Sequence, residues 1–229
     1  PEATGTETIP VLMTVPNTGS KPAAGWPVVI FQHGITQNRT NVLAVADTLA
    51  AQGFAAIAID LPLHGITDSA SLLYADGTLE SLGASERTFN LDLVDNSTKQ
   101  PVPDSVTDPS GTHFINLKNL LTTRDNVRQA VADLMTLRAS LSALDGTLDS
   151  GNVYFVGHSL GAMVGTVYLA NTTSVKAGVL AFPGGGIAKL LDGSATFGPE
   201  IAAGLSAKGV VRGSEEYESF MLAAQTVVD

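Results

Sequence analysis

The chain has no cysteine, which excludes disulfides and thiolate metal sites and leaves nothing to say about redox compartment from thiols. Long apolar runs are missing too. No stretch approaches the roughly 18 consecutive apolar residues that a membrane helix needs, and Pro1-Glu2-Ala3-Thr4-Gly5 lacks the basic start and apolar centre of a signal peptide. Secreted and cytosolic locations both stay open on these grounds. Basic residues are few, 12 Lys and Arg against 22 Asp and Glu, for a formal net charge of −10. A phosphate backbone would require a basic stripe, so the charge balance argues against nucleic acid as a partner. No Gly-rich phosphate loop, Rossmann fingerprint or zinc-ligand pair occurs, and neither a cofactor nor a metal is expected. Histidine is scarce: His33, His64, His113 and His158 are the four, and none follows Ser159.

What is present describes one globular α/β domain over residues 1–229. Hydrophobic residues make up 44% and charged residues 15%, the profile of a buried sheet and not of a disordered chain. Residues 8–15 read as an edge strand that tolerates Pro10. The continuous apolar runs Val28-Val29-Ile30-Phe31-Gln32 and Phe54 to Asp60 read as strands covered on both faces. Between them a helix starts near Asn41, carries Val42, Val45, Leu49 and Ala50 toward the core, and stops at Gly53. Residues 61–122 lose periodicity and read as an excursion with short helices of its own, since a structureless loop of that length is foreign to compact domains.

From Thr122, with Asp125 in a capping-box-like position, Val127, Val131, Leu134, Leu141 and Leu144 form one apolar helix face. Val153 to Val156 and Val175 to Phe182 read as further strands. Residues 184–229 read as short amphipathic helices at 187–191, 201–205 and 217–228. Strands alternating with helices imply right-handed crossovers and a mainly parallel sheet flanked by helices. Three sequons, at Asn38, Asn96 and Asn171, are frequent by chance in a Thr-rich chain and give little support to glycosylation.

Gly157-His158-Ser159-Leu160-Gly161 is a G-x-S-x-G match. By composition alone such a match is expected about 0.2 times in a chain this rich in Gly and Ser, so the context has to carry the weight. Here the match follows a buried strand and opens a helix in which Gly161 and Gly165 share one face, the strand–turn–helix setting of a nucleophile elbow. The bland alternative is an ordinary glycine-flanked turn. In an elbow of this kind one oxyanion donor is the N–H of the residue after the serine, here Leu160, and the other comes from the loop that follows an earlier strand. His33-Gly34-Ile35 occupies that place, with the Ile35 N–H as the second donor; the alternative is a plain glycine turn at the end of a strand.

Val28 to Thr36, the turn Asp60-Leu61-Pro62-Leu63-His64-Gly65 and Val153 to Gly165 resemble, in order and spacing, the oxyanion strand, the D-x-P-x-H-G turn and the nucleophile elbow of the α/β-hydrolase superfamily. The resemblance spans about residues 8–183. The Phe31-Gln32-His33-Gly34-Ile35-Thr36 segment, the large excursion and the Gly-rich exit after Phe182 are similar to extracellular, virulence-associated lipases and lysophospholipases of Gram-negative bacteria. The resemblance implies Ser159 as nucleophile, Ile35 and Leu160 amides as the oxyanion hole, and His33, Gly34, Gly157, His158 and Gly161 as support for the elbow and turn. It further implies a lipid or other ester substrate, contact with a lipid interface or membrane surface, a secreted or cell-surface location, and a lid-like role for 184–229.

The family's acid and base sit on later strands. This chain ends without them, so the sheet is expected to lack its C-terminal strands and no acid or base is carried over. Asp192 reads as a lid residue, and Asp229 has no strand after it. His158 is expected to point away from the serine, His64 to support its turn, and His113 to be solvated or capping, although it has the most freedom to serve as an unusual base. Asp92, Asp95, Asp104 and Asp108 suggest calcium less than they suggest a solvated surface, since the alternating spacing of a loop cage is missing. The leading expectation is a serine ester hydrolase. A peptidase or acyltransferase of the same fold and a catalytically silent binding module are the alternatives, and oligomeric state is left open.

Overall fold

The computed structural model describes residues 5–228, the side chains at positions 77, 78 and 80 excepted. Five strands form one sheet in the order β1-β3-β2-β4-β5: β1 (Val11–Thr14), β2 (Trp26–Gln32), β3 (Ala55–Ile59), β4 (Leu148–His158) and β5 (Gly178–Ala181). β2 runs parallel to both β3 and β4, and β4 parallel to β5. Only β1 is antiparallel, pairing Val11 with Ile59 and Thr14 with Ala56 at an edge. The unbroken apolar runs in β2 and β3 have the expected cause: Val28, Ile30, Ala55 and Ala58 are fully buried, covered on both faces.

The described residues include seven α-helices. α1 (Leu43–Ala51) follows a 3₁₀ turn at Arg39–Val42. That turn is capped by Asn38, whose side chain accepts from the Thr40 N–H while the Asn41 side chain accepts from the Asn38 N–H. Val42, Val45 and Leu49 then pack on Phe31, Ala56 and Ala58, as their spacing requires. α2 (Ala75–Thr78) lies wholly inside the excursion. α3 (Leu120–Ser140) starts two residues before Thr122, with the Asn119 side chain accepting from the Thr122 N–H at 3.4 Å. Asp125 pairs with Arg124 instead of capping. Val131, Leu134 and Leu141 are buried, but Leu144 is exposed, because the α-helix has already given way to a 3₁₀ turn at Leu141–Leu144. α4 (Leu160–Ala170) follows the elbow.

Two compact units carry these elements, residues 1–113 with 129–183 and residues 114–128 with 184–229. The first contains the sheet. The second contains α5 (Ile187–Asp192), α6 (Phe197–Ser206) and α7 (Glu215–Val228), close to the three helices expected in the tail. Their apolar faces meet each other: Ala188, Tyr217, Met221, Ala224 and Val228 form a core against Ile187, Ile201, Leu205 and Leu120. The tail therefore has a core of its own, whereas its sequence suggests faces with no sheet to bury them. Leu190 and Phe220, expected on those faces, remain exposed. Asp192 accepts from Tyr217 Oη and pairs with Arg212, a local clip and not a site.

Candidate active site

β2 leads to β3 on one side and lies against β4 on the other, so the connections leaving the carboxyl ends of β2 and β4 diverge. A crevice opens at such a switch point, and ligands of open α/β sheets bind there. The segment after β2 is His33-Gly34-Ile35, and the residue after β4 is Ser159. The topology thus brings together the two pieces that the sequence singles out.

Ser159 is the N-terminal cap residue of α4, at φ 53° and ψ −117°. A positive φ is rare and costly for a residue with a side chain, of order 1–3 kcal/mol, and it persists here because the backbone on both sides is held. The Ser159 N–H donates to Ala181 O at 2.9 Å, and the Ser159 carbonyl accepts from the N–H groups of Ala162 and Met163. The turn is so tight that its glycines have no room for a methyl. On Gly157 it would lie 2.5 Å from Gly161 O, and on Gly161 it would lie 2.2 Å from Gln32 O. A methyl on Gly165 would lie 2.3 Å from the Phe155 ring, so the expected close approach of α4 to the sheet is real.

The loop after β2 lies directly against the serine. A methyl on Gly34 would come within 3.1 Å of the Ser159 Cβ. His33 is fully buried and holds this loop from behind. Its Nε2 accepts the Leu61 N–H at 3.0 Å, and Nδ1 lies 2.8 Å from Gly34 O. One tautomer satisfies both bonds, the neutral ring protonated at Nδ1. Burial lowers the His33 pKa to about 4, which keeps the ring neutral. Because a peptide is planar with N–H and C=O opposed, fixing Gly34 O fixes the direction of the Ile35 N–H. Among the described residues, no hydrogen bond takes up the N–H of Ile35 or of Leu160.

A family model described as alpha/beta hydrolase fold matches residues 27–196, a span that contains the loop, the elbow, β3 to β5 and all but the first residue of β2. The chain belongs to the alpha/beta hydrolase family. Among solved structures, an acetyl xylan esterase from Paenibacillus sp. R4 is similar at 16% identity and TM-score 0.53, over 96% of this chain and 59% of that one. A carboxyl esterase from Bacillus coagulans matches 87% of this chain and 46% of its own, at 18% identity and TM-score 0.45. A cold-adapted esterase from an Arctic intertidal metagenomic library matches 74% and 53%, at 18% identity and TM-score 0.40. At these identities the likeness is one of fold. The chain spans 46–59% of the length of these three proteins. No curated protein matches its sequence.

The other histidines of this family member have structural partners. His64 is buried beside His33, with ring centroids 5.1 Å apart, and its Nδ1 lies 2.8 Å from Pro62 O, as befits support of its turn. Burial, then the neighbouring His33, lowers its pKa to about 4. His158, expected to point away from the serine, faces the loop. Its Nδ1 faces Gln37 Oε1 at 3.4 Å, and its ring stands edge-on to Phe182, centroids 6.1 Å apart. His113 is partly exposed, as expected, and is not a cap: Nε2 contacts Asp108 Oδ2 at 2.7 Å. Asp108 itself is buried, a correction to its reading as a surface acid, because it also accepts the Leu93 N–H from across the excursion. Asp92, Asp95 and Asp104 accept backbone N–H groups of the same loops. Among the described residues no three His, Cys, Asp or Glu side chains gather as a metal cage.

Sequence reasoning missed a buried ion network under the loop. Arg39 pairs with Asp60 and, at 2.7 Å, with Glu86, all three nearly or fully buried. Glu86 also accepts the N–H groups of Ile66 and Ala75 at 2.8 Å, so one carboxylate gathers the start of the excursion. Arg39 is the only basic residue between Lys21 and Arg87, and that isolation beside a buried Asp60 was the available signal. Burial pushes Asp60 up, while Arg39 pulls it down.

Proposed function

We propose that this hydrolase is a serine carboxylic-ester hydrolase that acts on lipid esters, as a lipase or lysophospholipase, through an acyl-enzyme on Ser159. The observation that carries the reading is the strained Ser159 backbone at the switch point with the Gly34 loop against its Cβ. In this reading the Ser159 hydroxyl attacks the acyl carbon, and the carbonyl oxygen, gaining the charge, accepts from the Ile35 and Leu160 N–H groups. Collapse breaks the bond to the alcohol, which leaves with a proton. Water then cleaves the acyl-enzyme and releases the acid. His33, His113 and His158 have other partners, and this reading assigns none of them as the base that takes the serine proton. Phe182, 79% exposed and in contact with His158, supports an apolar acyl group over a small polar ester. The resemblance to secreted bacterial lipases supports the same substrate, and with it a secreted or cell-surface location and contact with a lipid interface.

Hydrolysis of an ester series from acetyl to palmitoyl, beside peptide substrates, tests the proposal on the full-length protein. Long acyl esters should be preferred, and Ser159→Ala should abolish turnover. Peptide cleavage in place of ester cleavage would overturn it. A silent binding module is the second reading, favoured because among the described residues His33, His113 and His158 hydrogen-bond elsewhere than to Ser159; it requires lipid binding without turnover.

A further inference from the structure

Gln37 touches more of the site than any residue the sequence singles out. Its Oε1 accepts the Gly34 N–H at 3.0 Å and faces His158 Nδ1 at 3.4 Å. Its own N–H donates to Gly34 O at 3.3 Å, where His33 Nδ1 also donates. Its carbonyl accepts the Ser110 hydroxyl at 2.6 Å, and that hydroxyl accepts the Gly65 N–H at 3.1 Å. The turn that returns the Gln37 side chain to Gly34 requires Thr36 at φ 63°, the left-handed third position of a type II turn.

We propose that Gln37 is the positioning residue of the oxyanion loop, a clamp that occupies both polar groups of Gly34, leaves Ile35 as the loop's free amide, and ties the loop to the elbow through His158. The bond inventory supports this assignment. Gly34 and Ile35 offer adjacent N–H groups in the loop against the Ser159 Cβ, and an oxyanion needs one of them aimed and uncommitted. The Gly34 N–H is spent on Gln37 Oε1. The Gly34 carbonyl is held by two donors, so the peptide it shares with Ile35 has no freedom to flip. Oε1 is an acceptor only, so the His158 nitrogen that faces it carries a proton. His158 is thereby assigned as the Nδ1–H tautomer. The distance of 3.4 Å makes this the weaker arm, and the Gly34 arm carries the positioning.

This inference rests on Ser159 as the nucleophile, but two of its readouts do not. Gln37→Met keeps the side chain's length and removes the acceptor, whereas Gln37→Glu keeps the acceptor. Amide exchange at Gly34 should be slow in the wild type and in Gln37→Glu, and at least about tenfold faster in Gln37→Met. Nitrogen chemical shifts of His158 should show Nδ1–H in the wild type. On the full-length protein, Gln37→Met should lower kcat on esters by about 10- to 100-fold, with KM within about twofold. Unchanged Gly34 exchange in Gln37→Met, an Nε2–H tautomer of wild-type His158, or wild-type kcat in Gln37→Met would each overturn the clamp. Should Gln37→Met fail to fold, rapid Gly34 exchange in a folded Gln37→Glu would overturn it as well. Absence of ester turnover in the wild type would instead remove the nucleophile reading and leave the exchange and tautomer results standing.

Discussion

Gly34 and Ser159 belong to different strand ends, and a methyl on one would stand 3.1 Å from the Cβ of the other. That contact makes the spacing between loop and serine a packing quantity, sensitive to a single carbon atom.

Gly34→Ala and Gly161→Ala should therefore separate activity from stability. At Gly34 the neighbours are three side-chain atoms at 3.1–3.3 Å, which move by tenths of an ångström. Stability should fall by less than about 1 kcal/mol, while ester turnover falls at least about tenfold. At Gly161 the obstacle is the Gln32 carbonyl at 2.2 Å, and the strand or helix has to shift. A loss of about 3 kcal/mol is expected. Urea midpoints beside kcat/KM check both, and a Gly34→Ala protein with unchanged turnover would contradict the first.

His33 and His64 predict acid sensitivity. Each has its pKa lowered from 6.5 to about 4, first by burial. A base with a depressed folded pKa contributes its stability above the unfolded value and loses it as pH falls. The contribution is complete above about pH 6.5, declines through the window down to pH 4, and amounts to about 3 kcal/mol per ring. Asp60, raised by burial against the pull of Arg39, has the opposite slope. Imidazole titration by NMR isolates the histidine part: both rings should stay neutral to about pH 4, and titration near 6.5 would refute the assignment.

Glu86→Ala should be among the most damaging changes remote from the serine. It removes four charge-assisted or backbone bonds at once and leaves Arg39 buried with Asp60 alone. A loss of about 3–5 kcal/mol is expected, with residues 66–75 becoming the first site of proteolysis. Gln at this position keeps the acceptors and should recover part of the loss.

Residues 1–229 alone should be poor catalysts. Among the described residues His33, His113 and His158 hydrogen-bond elsewhere, and a triad acts as a unit, so turnover should lie about 10⁴-fold or more below that of a serine with its base in place. A burst of acyl-enzyme from this chain, lost in Ser159→Ala, would show that a base lies within it after all.

The sheet was legible because β2 and β3 are buried on both faces and leave continuous apolar runs, and the elbow was legible because glycine is the only residue that fits at 157 and 161. The excursion was not, since its order comes from polar contacts distant in sequence. Asp108 looks like any surface acid until Leu93, 15 residues earlier, is seen donating to it. Gln37 has the same character. Nothing in T-Q-N distinguishes a glutamine that reaches back to Gly34 from one that faces solvent, and only the turn at Thr36 decides it. Leu144 shows the opposite error, a periodic pattern extended past the point where its helix ends.

The two N–H groups left uncommitted beside Ser159 belong to the main chain, and every amino acid except proline supplies the same N–H. Alanine scanning at 35 and 160 would report only on lost packing and would miss the groups themselves. Natural variation at these positions is equally silent about them, so family members can diverge there freely in side chain while preserving the chemistry. Replacement of a single amide by an ester, through unnatural hydroxy-acid incorporation, is the perturbation to which this part of the molecule is open.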